Sequence, residues 1–422
     1  MLNNWGQSLR TRMVPTLAPM HDLMARLGNP HHTFSVVHVT GTKGKGSVCA
    51  LIETALHSAG VRVGRYASPH VHSICERVSI RGRNIDKYTL ARALERALDA
   101  RDEASAAGTP AKDATWFDAM TAAAFLLFAQ ERVEWVVVEV GLGGRLDSTN
   151  VIDGNICVIT NIALEHTEVL GNTLAEITRE KGGIIKNGSI VVTGVGRDHA
   201  IHAVIASLAR EREAMLVTID PQTGITRQNV ELAGTVLDQL GMLGLRDAVA
   251  SPIGRALLDE ATVRSARLPG RVELIEITAA SRPVTVVLDG AHVDIALRAL
   301  LEELADAPLA NEPMVVLFAL GRDKTPRNML RVLRQRAKHI IFTLLEDRNC
   351  WEPEELSAVA RELDISSSVA SDTRSALDAS FKLVGERGWI LATGSLHLIA
   401  PVRKALRPEA RGHEIRIEKA GT

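Results

Sequence analysis

The chain has 422 residues, of which 46% are hydrophobic and 23% are charged, and its formal net charge is −1. This near-neutral net charge excludes a strongly basic chain, so it predicts neither a nucleic-acid partner nor binding to an anionic membrane. The sequence contains no run of about 18 apolar residues, so we expect no membrane-spanning helix. A chain of this length typically folds into two or three domains, and its hydrophobic fraction is sufficient for their cores.

The N-terminus and the cysteines favour a cytoplasmic protein. Arg10 and Arg12 are not followed by an apolar run, so this segment lacks the pattern of a signal peptide. The four cysteines lie far apart and form no Cys-x-x-Cys pair. We therefore expect reduced, mostly buried thiols rather than a zinc site or disulfides, and no redox cofactor.

The first half of the chain alternates short apolar runs with helical patterns. Such alternation predicts βαβ units and a mostly parallel sheet. The predicted strands cover residues 34–40, 134–140, 155–160 and 189–194. The predicted helices cover residues 48–59, 87–106, 115–131 and 229–240, and a further helix is expected to begin near Thr173.

A glycine-rich segment directly follows the first predicted strand and precedes a helix. It consists of Gly41, Thr42, Lys43, Gly44, Lys45, Gly46 and Ser47. Glycines let backbone N–H groups converge on a phosphate, and the helix N-terminus adds its positive dipole end. Lys45 is expected to reach the outer phosphates and Ser47 to bind a phosphate oxygen or Mg²⁺. Val39 stands where the general pattern has another glycine, so the loop is shortened; the alternative is an ordinary glycine-rich turn.

A second alternation of strands and helices begins after residues 268–271. Its predicted strands cover residues 284–289, 314–320, 339–345 and 389–393. The stretches between them have the length and pattern of helices, so they predict a second doubly wound unit of about 150 residues. We therefore expect one domain over residues 1–270 and another over residues 271–422.

Ten short motifs occur together over nearly the whole chain. Besides the glycine-rich segment, they are residues 27–30 (LGNP), 66–70 (YASPH), 115–117 (TWF), 138–150 (VEVGLGGRLDSTN), 165–168 (EHTE), 179–181 (REK), 227–229 (RQN), 268–271 (LPGR), 289–292 (DGAH) and 393–395 (TGS). In this order they resemble the Mur ligase superfamily, specifically folylpolyglutamate synthase and its bifunctional dihydrofolate synthase relatives. The resemblance implies a P-loop ATPase-like N-terminal α/β domain, a smaller Rossmann-like C-terminal domain, and a nucleotide in the cleft between them.

The resemblance also implies a site for two Mg²⁺ ions. It assigns Glu139 and His166 as metal ligands and Lys181 as a lysine that CO₂ converts to a metal-binding carbamate, with Ser47 and Ser68 approaching a metal. An acidic residue such as Glu139 at the end of an apolar strand is costly unless it is paired or bound to a cation. The alternatives are a Glu139 salt bridge to Arg145, a capping or hydrogen-bonding role for His166, and an exposed helix lysine at position 181. Relatives usually carry Asp at position 165 and Ala at position 182, where this chain has Glu and Gly.

The remaining family assignments concern the nucleotide and the substrate. For ATP they are Asn229, which matches an adenine contact, together with Arg271, Asp289 and His292. The alternative for Asn229 is a helix N-cap, and the alternative for the second group is a strand-to-helix turn in which Asp289 or His292 caps a helix. Val293 replaces a usual asparagine and removes one polar group from that region. For the folate pocket and its carboxylate they are Thr115, Phe117, Asp147, Ser148 and Arg77; a helix cap and a core residue are the alternatives for the first two.

The implied activity is an ATP-dependent amide ligase. It adds L-glutamate to the γ-carboxylate of a folate through an acyl phosphate and releases ADP and phosphate. The alternatives are a bifunctional enzyme that also converts dihydropteroate to dihydrofolate, a Mur-type ligase for a non-folate acid, an inactive nucleotide-binding protein, and a nucleotide hydrolase. Only small-molecule partners and a monomer are expected.

Overall fold

The computed structural model describes residues 16–220, 222, 224–279, 282–345 and 349–406. The chain divides between Arg267 and Leu268 into two compact units. Each contains one sheet with helices connecting its strands. The basic residues at positions 10 and 12, on which the signal-peptide prediction depends, lie outside the described residues.

The first unit is an α/β structure with an eight-stranded sheet of order β4-β3-β2-β5-β1-β6-β7-β8. Its strands are β1 (Ser35–Thr40), β2 (Val63–Tyr66), β3 (Val78–Ile80), β4 (Arg83–Asn84), β5 (Trp135–Glu139), β6 (Ile156–Ile159), β7 (Ile190–Thr193) and β8 (Met215–Thr218). Its α-helices are α1 (Ala18–Arg26), α2 (Lys45–Ser58), α3 (Lys87–Ala107), α4 (Trp116–Gln130), α5 (Thr167–Leu170), α6 (Leu174–Gly182), α7 (His202–Glu211), α8 (Ile225–Met242) and α9 (Glu260–Ser265).

The centre of this sheet is parallel. Strands β2, β5, β1 and β6 are neighbours and run in the same direction. All residues of β1 except the first are buried, as expected for a strand covered on both faces. Parallel neighbours end at the same edge, so the segments that follow these four strands lie next to one another. In open α/β sheets this edge is where ligands bind.

Helix α3 packs closely on α4 through small residues. Four alanines of α3 are buried, and their spacing of three or four residues places them on one helix face: Ala93, Ala97, Ala100 and Ala104. They belong to the same apolar core as Phe125 and Phe128 of α4 and Tyr66 of β2. This packing holds α4 against the sheet and thereby fixes the position of its first turn.

The second unit contains a six-stranded sheet of order β13-β12-β11-β14-β10-β9. Its strands are β9 (Glu273–Ala279), β10 (Arg282–Leu288), β11 (Met314–Phe318), β12 (Ala337–Phe342), β13 (Ser367–Val369) and β14 (Trp389–Thr393). Its α-helices are α10 (Asp294–Glu303), α11 (Pro326–Arg334), α12 (Pro353–Glu362), α13 (Thr373–Leu383) and α14 (Leu396–Ala405). All strand pairs are parallel except β9 with β10.

The predicted class, two α/β units with mostly parallel sheets, is confirmed. Each of the eight predicted strands matches an observed strand to within three residues. The prediction missed strands that are short or carry polar residues and glycine, since these lack a continuous apolar run. They are β2, β3, β4, β8, β9 and β13. In the first unit the missed strands β3 and β4 are antiparallel to their neighbours.

The structure also bears on the predictions made for membrane-spanning helices and for the cysteines. Among the described residues, no helix has both the length and the apolar character needed to cross a bilayer. All four cysteines are free thiols; Cys49 and Cys157 are buried, whereas Cys75 and Cys350 are partly exposed. Two of the four cysteines are therefore buried, fewer than the mostly buried set that the sequence predicts.

A buried ion pair connects α2 to the sheet. Arg65 Nε donates to Glu53 Oε2 at 2.5 Å, and the two side chains are 9% and 5% exposed. We expect Glu53→Ala to lower the free energy of unfolding by about 3–5 kcal/mol, because it leaves a buried guanidinium without its counter-charge. Urea unfolding monitored by circular dichroism measures this change.

The exposed pair of Arg62 and Glu134 provides the matched control. It has an N–O distance of 2.7 Å, but its side chains are 48% and 45% exposed. Glu134→Ala should therefore cost less than about 1 kcal/mol. Equal destabilisation by Glu53→Ala and Glu134→Ala would contradict the importance of burial.

Candidate active site

The glycine-rich loop lies between β1 and α2 and requires its glycines. Gly41 and Gly44 have φ values of +143° and +84°. A Cβ atom on Gly41 would lie 1.9 Å from Thr160 Oγ1, and one on Gly44 would lie 2.2 Å from Asn229 Oδ1. Helix α2 begins at Lys45, so the unpaired N–H groups of its first turn face the loop. The loop therefore has the form of a phosphate-binding cradle.

The segment after β6 holds this loop in place. Asn161 Oδ1 accepts a hydrogen bond from Lys43 N at 2.9 Å, and Asn161 Nδ2 donates to Lys43 O at 3.0 Å. Thr160 Oγ1 also donates to Lys43 O, at 2.6 Å. The sequence analysis missed Thr160 and Asn161. The available signal was a Thr-Asn pair at the carboxyl end of a buried strand beside the loop strand.

Two lysine side chains converge on one carbonyl of the loop. Lys45 Nζ donates to Gly41 O at 2.8 Å, and Lys181 Nζ donates to the same oxygen at 2.9 Å. Lys181 also pairs with Glu165 Oε1 at 3.0 Å. Two cations with one nearby carboxylate leave an excess of positive charge beside the loop, which favours a polyanionic ligand.

Lys181 is almost fully buried, with 1% of its surface exposed, so the interpretation as an exposed helix lysine is wrong. Burial, and then the nearby charge of Lys45, lower the pKa of Lys181 to about 8, although Glu165 acts in the opposite direction. Burial alone would raise the pKa of Glu165, but the charges of Lys181 and Lys45 hold it below its usual value. Helix α6 has the predicted start, since Thr173 caps it.

Glu139 is the last residue of β5 and is 4% exposed. Its Oε2 accepts a hydrogen bond at 2.9 Å from the backbone N of Ser68, in the segment that follows β2. Arg145, the alternative partner considered for Glu139, instead pairs with Glu180 at 2.8 Å. The parallel order of β2, β5 and β1 thus places Ser68 and Glu139 at the sheet edge that carries the loop.

His166 precedes α5 and has a left-handed backbone with φ of +48°. Among the residues that the structure describes, its side chain forms no capping hydrogen bond to α5, so the capping interpretation is wrong. It is 37% exposed, and its Nδ1 lies 3.8 Å from Glu168 Oε1. The ring is therefore accessible from solvent near the same sheet edge.

The side chains near the loop offer few metal ligands of their own to Mg²⁺. Among the residues that the structure describes, no three His, Cys, Asp or Glu side chains form a metal-binding group. Mg²⁺ usually binds through one or two carboxylates together with phosphate oxygens and water, rather than through an all-protein cage. A buried carboxylate, Glu139, at the edge that carries the phosphate cradle fits an ion that arrives with a nucleotide.

Asp118 connects two of the predicted substrate residues. Thr115 caps α4, accepting from Asp118 N at 3.2 Å, and Thr115 N donates to Asp118 Oδ2 at 2.7 Å. Ser148 Oγ donates to Asp118 Oδ1 at 2.6 Å. The sequence analysis missed Asp118, although Thr-x-x-Asp before an apolar run resembles a capping box. The cap predicted as an alternative for Thr115 is present.

Phe117 and Asp147 both border the loop formed by residues 140–144, which follows Glu139. A Cβ atom on Gly141 would lie 2.7 Å from Phe117 Cζ. Asp147 Oδ2 accepts from Leu142 N at 2.8 Å. Burial raises the pKa of Asp147, although its hydrogen bonds act in the opposite direction. The structure thus brings Thr115, Phe117, Asp147 and Ser148 together.

Arg77 is a buried cation that directly contacts His70 and Trp116. It is 8% exposed, its Nε donates to His70 Nδ1 at 3.0 Å, and its guanidinium lies 4.8 Å from the centre of the Trp116 ring. Burial lowers the pKa of Arg77. Within the described part of the chain it forms no ion pair. A buried guanidinium without a carboxylate favours an anionic ligand.

Asn229 lies inside α8, four residues after its start at Ile225, so the helix-cap interpretation is wrong. Its side chain is 5% exposed and packs against Gly44. Among the described residues its Oδ1 has no hydrogen-bond partner. A buried amide oxygen beside the phosphate cradle is available to a donor on a bound nucleotide.

In the second unit, Asp289 follows β10 and organises the turn that precedes α10. Its Oδ1 accepts from Ala291 N at 2.8 Å and its Oδ2 from Val272 N at 2.9 Å, next to Arg271. His292 Nδ1 donates to Gly290 O at 2.9 Å. These contacts bring the three predicted nucleotide residues of this unit together. Val293 precedes α10 without a side-chain cap, where an asparagine would supply one.

Comparisons with known proteins agree with these features. Residues 39–237 match the Mur ligase middle domain, and residues 270–396 match the Mur ligase glutamate ligase domain. The chain is 32% identical to the dihydrofolate synthase/folylpolyglutamate synthase of Bacillus subtilis, over 94% of this chain and 96% of the relative.

Solved structures show the same relationship. FolC from E. coli, in complex with DHPP and ADP, is 26% identical and superimposes with a TM-score of 0.80, covering 97% of this chain and 96% of FolC. The bifunctional synthase from Yersinia pestis, in complex with AMPPNP and a Mn ion, is also 26% identical, with a TM-score of 0.78 and 95% coverage of both chains. The chain belongs to the Mur ligase family and, within it, to the folylpolyglutamate synthase/dihydrofolate synthases.

Proposed function

We propose that the protein is an ATP-dependent ligase that joins L-glutamate to the γ-carboxylate of a folate. The observation that carries this proposal is the convergence of Lys45 and Lys181 on Gly41 O, beside a phosphate cradle and the buried carboxylate of Glu139. Making an amide from a carboxylate requires a good leaving group, which phosphate transfer from ATP provides. The convergence supplies the positive charge that this transfer needs.

In the proposed reaction, the chain mainly holds and neutralises its substrates. Backbone N–H groups of the loop and of the first turn of α2 bind the phosphates, and Lys45 stabilises the charge that develops during phosphate transfer. A bound Mg²⁺ would polarise the phosphate oxygens, with Glu139 and Ser47 as its principal protein ligands. The amine of glutamate then attacks the acyl phosphate, which releases phosphate. Holding the reactants in contact supplies much of the rate enhancement.

The other residue roles are proposed from the family resemblance and agree with their chemistry. For ATP, they concern the loop residues Gly41, Thr42, Lys43, Gly44, Lys45, Gly46 and Ser47, together with Asn229, Arg271, Asp289 and His292. For the metal ions they concern Ser68, His166 and a carbamate on Lys181, which would hold a second Mg²⁺. For the acceptor acid they concern Arg77, Thr115, Phe117, Asp147 and Ser148.

A second acceptor, dihydropteroate, is favoured by two observations. The Bacillus subtilis relative is named for both activities, and FolC was solved with DHPP and ADP. We therefore propose that this chain also makes dihydrofolate. The pocket near Thr115 and Phe117 would distinguish the two acids, and Phe117→Ala should change their relative kcat/KM values.

The decisive experiment measures phosphate release by the purified full-length protein with ATP, Mg²⁺, glutamate and each acid in turn. We expect release that requires both glutamate and a folate or dihydropteroate. Release without glutamate would indicate a hydrolase. No release with either acid would overturn the folate assignment, and a non-folate acid that supports release would replace it.

The assembly and location are part of the proposal. We infer that the enzyme works as a monomer in the cytoplasm on small-molecule substrates. Its near-neutral charge provides no electrostatic attraction to nucleic acid. Sedimentation velocity at micromolar concentration should give the mass of a single 45.6 kDa chain.

A further inference from the structure

A buried histidine on the strand that leads into the phosphate cradle has no role in the proposed reaction. His38 lies on β1, three residues before Gly41, and is completely buried. Its Nε2 lies 2.9 Å from Thr149 Oγ1, in the turn that follows the 140–144 loop. A polar ring in a central strand costs free energy unless it is hydrogen-bonded. The hydrogen bond with Thr149 therefore offsets part of the cost of burying this ring.

The two partners of Thr149 Oγ1 determine which atom donates each hydrogen bond. Thr149 Oγ1 lies 2.5 Å from Asp147 Oδ1, and a carboxylate only accepts. The single hydroxyl proton of Thr149 is therefore donated to Asp147, so the bond with His38 must be donated by Nε2–H. His38 Nδ1 then carries no proton, and within the described residues it has no hydrogen-bond partner. Burial lowers the pKa of His38 to about 3, which keeps the ring neutral near pH 7.

Asp147 links Thr149 to the loop of residues 140–144 through hydrogen bonds. Its Oδ1 also accepts from Thr149 N at 3.1 Å, and its Oδ2 accepts from Leu142 N at 2.8 Å. A second β1 residue holds the same loop directly, since Thr40 Oγ1 donates to Gly143 O at 2.7 Å. The loop is therefore fixed to β1 at two points.

We propose that His38, as its Nε2–H tautomer, is a positioning residue that fixes the 140–144 loop for the acceptor acid through Thr149 and Asp147. The proposal rests on the proposed function, because that function places the acceptor beside this loop and Phe117. The phosphate cradle has separate supports, Asn161 and Thr160, on the other side of β1. Loss of the His38 contact should therefore affect the acceptor and leave ATP binding unchanged.

The test begins with three variants of the full-length enzyme. His38→Leu removes the donor and should raise the KM for the acceptor acid about 3- to 10-fold, as expected for one buried hydrogen bond, while the KM for ATP changes less than about 2-fold. His38→Gln keeps an N–H group at the position of Nε2 and should restore the wild-type KM. His31→Leu replaces another buried histidine, outside this network, and should leave the acceptor KM unchanged.

Two measurements separate positioning from a general effect on stability. Thr149→Val should raise the KM for the acceptor acid by a similar factor. The double variant with His38→Leu should have no higher KM than either single variant, because both substitutions break the same hydrogen bond between His38 and Thr149. In enzyme labelled with ¹⁵N-histidine, the resonance that disappears in His38→Gln should show a protonated Nε2 and an unprotonated Nδ1. Additive effects, an equal rise in the KM for ATP, or a protonated Nδ1 would each refute the proposal.

Hydrogen exchange provides a readout that does not depend on turnover. In His38→Leu, the amide of Leu142 and its neighbours in the 140–144 loop should exchange about 3- to 10-fold faster than in the wild type, and in His38→Gln they should not. If no folate acid is turned over but the loop responds in this way, the proposed function fails while the loop support stands. Unchanged exchange in His38→Leu overturns the loop support whatever the substrate.

Discussion

Replacing Lys45 by alanine is expected to lower kcat/KM for ATP-dependent glutamate addition by about 1,000-fold, which corresponds to about 4 kcal/mol of transition-state stabilisation. Lys45 begins α2, and its Nζ lies 2.8 Å from Gly41 O, inside the phosphate cradle. No backbone N–H group can replace a full positive charge at that position. Steady-state phosphate release at saturating acceptor acid and glutamate measures the loss.

Lys45→Ala should also change the pKa of its neighbour Lys181. The charge of Lys45 is one of the causes that lower the pKa of Lys181. Without it, the pKa of Lys181 should rise, and less of its neutral amine should be present near pH 7.5. Part of the loss in Lys45→Ala therefore arises through Lys181, so the two substitutions should not be additive.

Lys112→Ala is a suitable control, because Lys112 is exposed and lies outside the site. Its turnover should match that of the wild type. Calorimetry with ADP tests the assignment separately, since Lys45→Ala should weaken nucleotide binding without unfolding the protein. Unchanged turnover in Lys45→Ala would mean that residues 41–47 do not form the phosphate site.

The sequence was sufficient to locate the phosphate cradle and Glu139 for a physical reason. Both follow long, apolar, buried strands, β1 and β5, and such strands are the clearest signal that a single sequence offers. Neighbouring parallel strands must end at one sheet edge, so the two features lie close together once the sheet order is known. That order depends on contacts between distant segments, and the short strand β2, which leads to Ser68, has too little pattern to predict.

Residues that act by holding other residues in place could not be identified from the sequence alone. Asn161 holds the cradle only because β6 lies beside β1, and His38 reaches Thr149 only because the turn after the 140–144 loop packs beneath it. A side chain such as Lys181 is especially hard to interpret. Its helix position allows either an exposed or a buried lysine, and its burial is decided by the contact of α6 with the loop of another strand.

The burial of Lys181 leads to the second large effect. An amine must be neutral to react with CO₂ and form a carbamate. With a pKa of about 8, about a quarter of Lys181 is neutral at pH 7.5, compared with about one molecule in a thousand for an ordinary lysine. The neutral fraction of Lys181 grows as the pH rises through 8 and shrinks as the pH falls below 8. Carbamate formation should follow the same direction.

We therefore expect Lys181→Ala to lose about 100- to 1,000-fold in kcat, since it removes a proposed ligand of the second Mg²⁺. The wild-type enzyme should lose activity in CO₂-depleted buffer and regain it when bicarbonate is added. Enzyme equilibrated with ¹³CO₂ should show one carbamate signal by ¹³C NMR, stronger at pH 8.5 than at pH 7.

Lys186 provides the matched control for this experiment. Burial also lowers the pKa of Lys186, but its Nζ donates to Asn150 O, and the residue lies outside the proposed metal site. The carbamate signal should persist in Lys186→Arg and disappear in Lys181→Arg, because arginine remains charged and cannot form a carbamate. A signal that survives in Lys181→Arg would locate the carbamate elsewhere. Full activity without CO₂ would mean that Lys181 acts as an ammonium group: its bonds to Gly41 O and Glu165 would then hold the loop, and its positive charge would bind phosphate directly.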